Sequence, residues 1–112
     1  MTVSRNISDA ASFGLDPAGL AAFCQTWEVQ ELALFGSGVR GDLRPGSDLD
    51  FLVTFLPDAR WTLLDHVRME RELTEIVGRK VDLVSRRGLE RSANWIRRKA
   101  IFEEARPVYA TG

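Results

Sequence analysis

The sequence predicts a small α/β domain, in the α+β sense of a mixed sheet flanked by helices. Two observations carry this reading. Short apolar runs bounded by turn residues alternate with longer stretches of helical period. In addition, a glycine-rich turn joins two of those runs and ends in two aspartates set two residues apart. At 112 residues the chain suits one core rather than two.

Residues 1–14 are small and polar without periodicity and read as a flexible leader, so the single domain is expected to span 15–112. Asp16-Pro17 then opens a helix, with Asp16 as N-cap, Pro17 in the first turn, and Leu20, Phe23 and Trp27 at helical spacing. A strand is predicted at 31–35, a short helix over 38–43, and a turn at Arg44-Pro45-Gly46. The second strand, 51–55, closes at Pro57. From Trp61 to Val77, the residues Leu63, Leu64, Val67, Leu73, Ile76 and Val77 fall near one helical face, and Gly78 caps the end. A third strand is expected at 80–85, a long helix over 89–104, and a short last strand at 107–110.

Composition narrows the function. Hydrophobic residues make up 45% and charged residues 28%, the ordinary balance of a globular protein. A net charge of −1 supplies no global field toward nucleic acid or an anionic membrane. The lone Cys24 excludes an internal disulfide and thiol chelation of a metal, and is compatible with a reducing compartment. No apolar run approaches membrane-span length and no signal peptide is recognisable. A cytoplasmic location is therefore expected.

The chemistry concentrates between residues 36 and 50, which read Gly36-Ser37-Gly38-Val39-Arg40-Gly41-Asp42-Leu43-Arg44-Pro45-Gly46-Ser47-Asp48-Leu49-Asp50. The run Leu32-Ala33-Leu34-Phe35 precedes it and Phe51-Leu52-Val53-Thr54-Phe55 follows. The first strand thus delivers Gly36-Ser37 at its end. The second carries Asp48 and Asp50 on one face of the pleat. A phosphate site beside a divalent-metal site is the arrangement of a nucleotidyl transferase. A lone Gly-Ser or a lone Asp-x-Asp is weak; the whole constellation between two strands is specific.

These residues resemble the signature of the DNA polymerase β-like nucleotidyltransferase superfamily: Gly-Ser, then Arg-Gly, then Ser-Asp-x-Asp. The chain is most similar to its small MNT-type (minimal nucleotidyltransferase) members, antitoxins of HepT/MntA-type toxin–antitoxin pairs. The likeness continues through Gly78-Arg79-Lys80-Val81-Asp82-Leu83-Val84 and Arg106-Pro107-Val108-Tyr109, covering roughly residues 17–110. Val39 stands where Ala or Tyr is commonest, which leaves the polar positions intact.

The resemblance implies a small nucleotidyltransferase fold and assigns roles. Asp48 and Asp50 would hold two Mg²⁺ ions, hard cations that favour carboxylate oxygens. Asp82 matches the third acidic position, a metal ligand that also orients the acceptor hydroxyl. Ser37 and the backbone around Gly36 and Gly38 would cradle the phosphates of ATP, glycine permitting close approach. Arg40 would bind a phosphate bidentately or pin the loop by pairing with a carboxylate. Ser47 would orient the strand entrance.

Other residues have plainer readings. An acidic residue entering an apolar strand, as Asp50 does, needs an ionic partner, whereas a carboxylate such as Asp82 in an edge strand often merely faces solvent. His66 reads as surface or packing, Cys24 as a small buried residue, and Trp27, Trp61 and Trp95 as core or interface. Arg86, Arg87, Arg91, Arg97, Arg98 and Lys99 form a basic run whose default is a solvated helix face. A steering or docking patch is the sharper alternative.

The resemblance implies transfer of AMP from ATP to a protein hydroxyl, a Tyr of a cognate HEPN-type ribonuclease toxin. Two other functions stay open: a non-catalytic antitoxin that masks its partner, and a small-molecule nucleotidyltransferase that works with a partner subunit. Nucleic acid and membrane are not expected partners, while homo- or hetero-oligomers remain compatible with the sequence.

Overall fold

In the computed structural model, which describes residues 10–41 and 44–111, four strands form one mixed sheet with helices on both faces. The elements are α1 (Pro17–Thr26), β1 (Val29–Phe35), α2 (Ser37–Arg40), β2 (Leu49–Phe55), α3 (Leu63–Val77), β3 (Val81–Ser85), α4 (Arg86–Glu90), α5 (Trp95–Glu104) and β4 (Arg106–Ala110). The strand order is β3-β2-β1-β4. β1 runs antiparallel to both β2 and β4, and β2 runs parallel to β3. The parallel pair is joined through α3, as a crossover requires.

Alternation along the strands divides the interior into two layers. Leu32 and Leu34 of β1, Phe51 and Val53 of β2, and Val81 and Leu83 of β3 face the larger core, with Leu20, Phe23 and Cys24 of α1 and Met69 and Leu73 of α3. Ala33, Phe35 and Leu52 face the smaller core, closed by Leu89 of α4 and Ile101 of α5. Trp27 and Trp61 meet edge to face at 5.0 Å and both indole N–H groups donate, to Glu72 and to the Trp27 carbonyl. They belong to the core, as does Cys24, whose thiol burial pushes up.

The helix boundaries follow local chemistry. Asp16 caps α1 by accepting from the Ala18 amide. Thr62 and Asp65 form a reciprocal capping box at the start of α3, and Gly78 ends it with φ 73°. His66 and Glu70, one turn apart on α3, seal the outer edge of β3. Glu70 accepts from the Leu83 amide at 2.9 Å, and the His66 ring contacts the Leu83 carbonyl at 2.8 Å. An exposed edge strand is thereby denied to a foreign strand.

Four expectations are corrected. Residues 10–14 are not loose: Ala10 is fully buried and Ala11–Phe13 form a 3₁₀ turn, Phe13 resting on the core; the rest of the expected leader, 1–9, lies outside the described residues. The helix after the glycine-rich turn ends at Arg40, because Gly41 takes φ 81°, and residues 42 and 43 are likewise outside the description. The predicted helix over 89–104 is two helices. Ser92 accepts from the Asn94 amide and Asn94 from the Arg97 amide, so side chains end one helix and cap the next.

The apolar face of α3 also differs. Leu73 is buried as expected, but Met69 is buried with it, whereas Leu63, Leu64 and Val67 are 82%, 61% and 44% exposed. Leu73→Ala is therefore expected to cost about 2–5 kcal/mol and Leu64→Ala less than about 0.5 kcal/mol, read from urea unfolding midpoints. Equal losses would refute this orientation of α3.

Candidate active site

The end of β1 and the starts of β2 and β3 meet at one end of the sheet. Register pairs Phe35 with Asp50 and Asp50 with Asp82, so two carboxylates stand side by side across the parallel pair. Gly36 follows Phe35 with φ 77° and ψ −152°, a conformation essentially restricted to glycine. A Cβ at Gly36 would collide with the Asp50 carboxylate. Gly38 is also constrained, since a Cβ there would lie 3.0 Å from Leu49 and 3.2 Å from Leu34. The glycines thus let the turn lie against β1, β2 and the Asp50 side chain.

Arg44 to Ser47 form the turn into β2, with the Ser47 amide bonded to the Arg44 carbonyl at 2.9 Å and Gly46 at φ 83°. The Ser47 hydroxyl accepts from the Arg44 amide at 3.3 Å, so it closes the turn that leads to Asp48. Arg79, at the start of the chain leading to β3, donates to the Arg44 and Ser47 carbonyls at 2.8 and 3.1 Å. That clamp fixes where β2 begins relative to β3.

Electrostatics single out Asp50. Burial raises its pKa first, then the neighbouring charges of Asp82 and Asp48, while Arg97 and Arg40 act in the opposite direction. Three acidic groups therefore share one region. Among the described residues no three Asp, Glu, His or Cys side chains converge into a preformed ligand set. Asp50 and Asp82 nevertheless fit a hard divalent cation, which is commonly held by one or two carboxylates with water and phosphate oxygens completing its shell.

Two further residues belong to the site: Glu104, which carries no local sequence signal, and Arg97, which the sequence offered only as part of the basic run. Glu104, at the end of α5, accepts from the Gly36 amide at 2.8 Å and from Arg40 Nη1 at 2.7 Å. Arg40 thus adopts the loop-pinning arrangement, and the Gly36 amide is already bonded within the protein. Arg97, on the first turns of α5, faces Asp50 through its charge. The basic run is accordingly divided. Arg86 bonds to Thr54 and stacks 4.7 Å over Phe102, Arg98 bonds to the Ser92 carbonyl, and Lys99 pairs with Glu103 at 4.0 Å. Trp95 and Ile96, beside Arg97 in sequence, are 60% and 64% exposed, so Trp95 is not a core residue. His66 lies in the β3 edge seal rather than among the carboxylates.

A glycine turn packed on a strand-borne carboxylate, beside a second carboxylate in register, sits on a mixed sheet of nucleotidyltransferase type. The profile of the nucleotidyltransferase domain matches residues 19–109. The chain belongs to the nucleotidyltransferase domain family. It is 39% identical over 64 residues to the protein adenylyltransferase MntA of Thermococcus cleftensis, covering 55% of this chain and 61% of that protein. The chain thus spans about three fifths of the length of that relative. A solved structure provisionally assigned as a minimal nucleotidyltransferase superposes with TM-score 0.64 at 37% identity, covering 87% of this chain and 89% of that one. A toxin–antitoxin structure with AMP-PNP gives TM-score 0.66 at 20% identity over 84% and 73% of the two chains, a likeness of fold. Among the described residues no helix is long and apolar enough to cross a membrane.

Asp50 ionises at a cost in this setting. Its raised folded pKa means that the extra stability belongs to the protonated form and is lost as pH rises through that pKa. Asp50→Asn is expected to raise the melting temperature by roughly 1–4 °C at pH 7–8, solvent screening limiting the gain. The difference should vanish below the ordinary aspartate value of about 3.9. A variant that melts lower at pH 8 would contradict the electrostatic reading.

Proposed function

We propose that the chain is a nucleotidyltransferase that moves AMP from ATP to a hydroxyl of a protein acceptor, a tyrosine of a cognate HEPN-type ribonuclease toxin, and so acts as an antitoxin. The observation that carries this is the register that sets Asp50 beside Asp82, at the end of the strand from which Gly36 and Ser37 emerge. Family membership supports nucleotidyl transfer. The name of the Thermococcus relative supports a protein acceptor. The toxin–antitoxin neighbour with an ATP analogue supports both the nucleotide and the partner.

In the reaction the acceptor oxygen forms a bond to the α-phosphorus and the bond to the pyrophosphate oxygen breaks. The hydroxyl proton leaves to a base, a role open to Asp82. Asp48, Asp50 and Asp82 would hold Mg²⁺, which supplies charge neutralisation at the entering and leaving oxygens. Ser37 and the backbone at Gly38 would hold phosphate oxygens, and Arg40 would add positive charge from its fixed place against Glu104. Arg97 lies where it can approach a phosphate or an acceptor beside Asp50. Trp95 and Ile96, exposed on the first turn of α5, offer apolar surface of the kind a macromolecular acceptor can cover.

The test is co-expression with the product of the neighbouring gene, followed by that product's intact mass. One or more AMP additions are expected with the wild-type chain. The double variant Asp48→Asn/Asp50→Asn should reduce modification by at least about 100-fold, the scale of losing electrostatic stabilisation at a transferring group. A neighbour that is neutralised without any added mass, equally well by the variant, would replace catalysis with masking.

A further inference from the structure

We propose that Glu104 is the positioning residue of the phosphate turn, acting on nucleotide binding through Gly36 and Arg40; this rests on the nucleotidyl-transfer reading of the site. One carboxylate bridges both ends of α2. Its Oε1 takes the Gly36 amide at 2.8 Å and its Oε2 takes Arg40 Nη1 at 2.7 Å. Within the turn, the Gly36 carbonyl accepts from the Val39 and Arg40 amides at 3.0 and 3.2 Å. The turn is thus closed on itself and then tied to α5 from outside.

The tie matters because glycine has several backbone conformations open to it, so neighbouring groups must select the one at φ 77° and ψ −152°. Packing holds Gly36 from one side, where the Asp50 carboxylate leaves no room for a Cβ. Glu104 holds it from another. Burial would raise the Glu104 pKa, but the hydrogen bonds from Arg40 and the Gly36 amide, with the charges of Arg40 and Arg106, bring it below the usual glutamate range. The carboxylate is therefore ionised wherever the tie would operate.

The placement of Glu104 is fixed by α5 itself. Arg97, Ile101 and Glu104 are spaced four and three residues apart, and so share one helical face. Ile101 is buried in the smaller core and anchors that face against the sheet. Arg97 then falls near Asp50, and Glu104 reaches the turn. Packing of α5 sets the turn from a distance of 68 residues in sequence.

Glu104→Ala should raise the KM for ATP about tenfold or more, as expected for loss of charge-assisted hydrogen bonds, with kcat changed less than about threefold. Glu104→Gln, which keeps an oxygen for the Gly36 amide, should recover part of that loss. Glu103→Ala, removing an exposed neighbour, should leave KM unchanged. Hydrogen exchange at the Gly36 amide reports the tie without nucleotide: protection should fall in Glu104→Ala and persist in Glu104→Gln. Wild-type KM with wild-type Gly36 protection in Glu104→Ala would overturn the proposal. So would tighter ATP binding by that variant, which would make the carboxylate a competitor of phosphate. If the wild-type chain neither binds nor uses ATP, the nucleotidyl-transfer reading fails and the proposal with it.

Discussion

The contact between the Gly36 backbone and the Asp50 carboxylate is the constraint on which the rest of the site depends. β1 must end against β2 so that Phe35 pairs with Asp50, and the next residue must turn back across that carboxylate. Only glycine can do so at φ 77°. The parallel pairing of β2 with β3 then brings Asp82 beside Asp50 without any further device. A shift of one residue in either register would turn one of these carboxylates to the opposite face and into the larger core. The site and the sheet therefore cannot be specified separately.

The division of the interior explains why the site lies where it does. The larger core, under α1 and α3, carries most of the buried apolar side chains, including Phe51, Leu32, Leu34, Met69 and Leu73. Its edge strand is sealed by His66 and Glu70. The smaller core, under α4 and α5, covers the middle of the opposite face and leaves its end to polar groups. Asp50 and Asp82 share that face with Leu52 and Val84 by simple alternation. Stability comes chiefly from one face of the sheet, and the other is left to present charge.

Much of this was legible in the sequence, because the signals were local. Strand runs on either side of the glycine-rich turn, the Asp48-x-Asp50 spacing, and the caps at Asp16 and Gly78 each depend on residues within a few positions of one another. The misreadings have separate causes. Leu63, Leu64 and Val67 are apolar, and only the position of the sheet decides that α3 turns Met69 inward beside Leu73 and leaves those three exposed. The break between α4 and α5 comes from side-chain bonds at Ser92 and Asn94 that compete with helix continuation, against an uninterrupted stretch of good helix formers further on. Glu104 was invisible for a different reason: its partners are Gly36 and Arg40, and nothing near residue 104 announces them.

The charge distribution connects these long-range features to function. Asp50 is disfavoured as an anion, first by burial and then by Asp82 and Asp48, and the opposing influence of Arg97 and Arg40 is weaker. Left to itself, such a cluster would relax by moving its carboxylates apart or into solvent. Here Asp50 is held against Gly36, and only Asp82, exposed on its paired strand, reaches solvent freely. The strain is electrostatic rather than steric, and a divalent cation relieves that kind of strain most directly. Arg97 and Glu104 extend the same logic along α5, with a positive group toward the carboxylates and a negative one toward Arg40. The helix partly balances both ends of the site, so the position of the glycine turn and the field at the carboxylates both follow from the packing of α5, with Ile101, Phe102 and Ala105, against the smaller core.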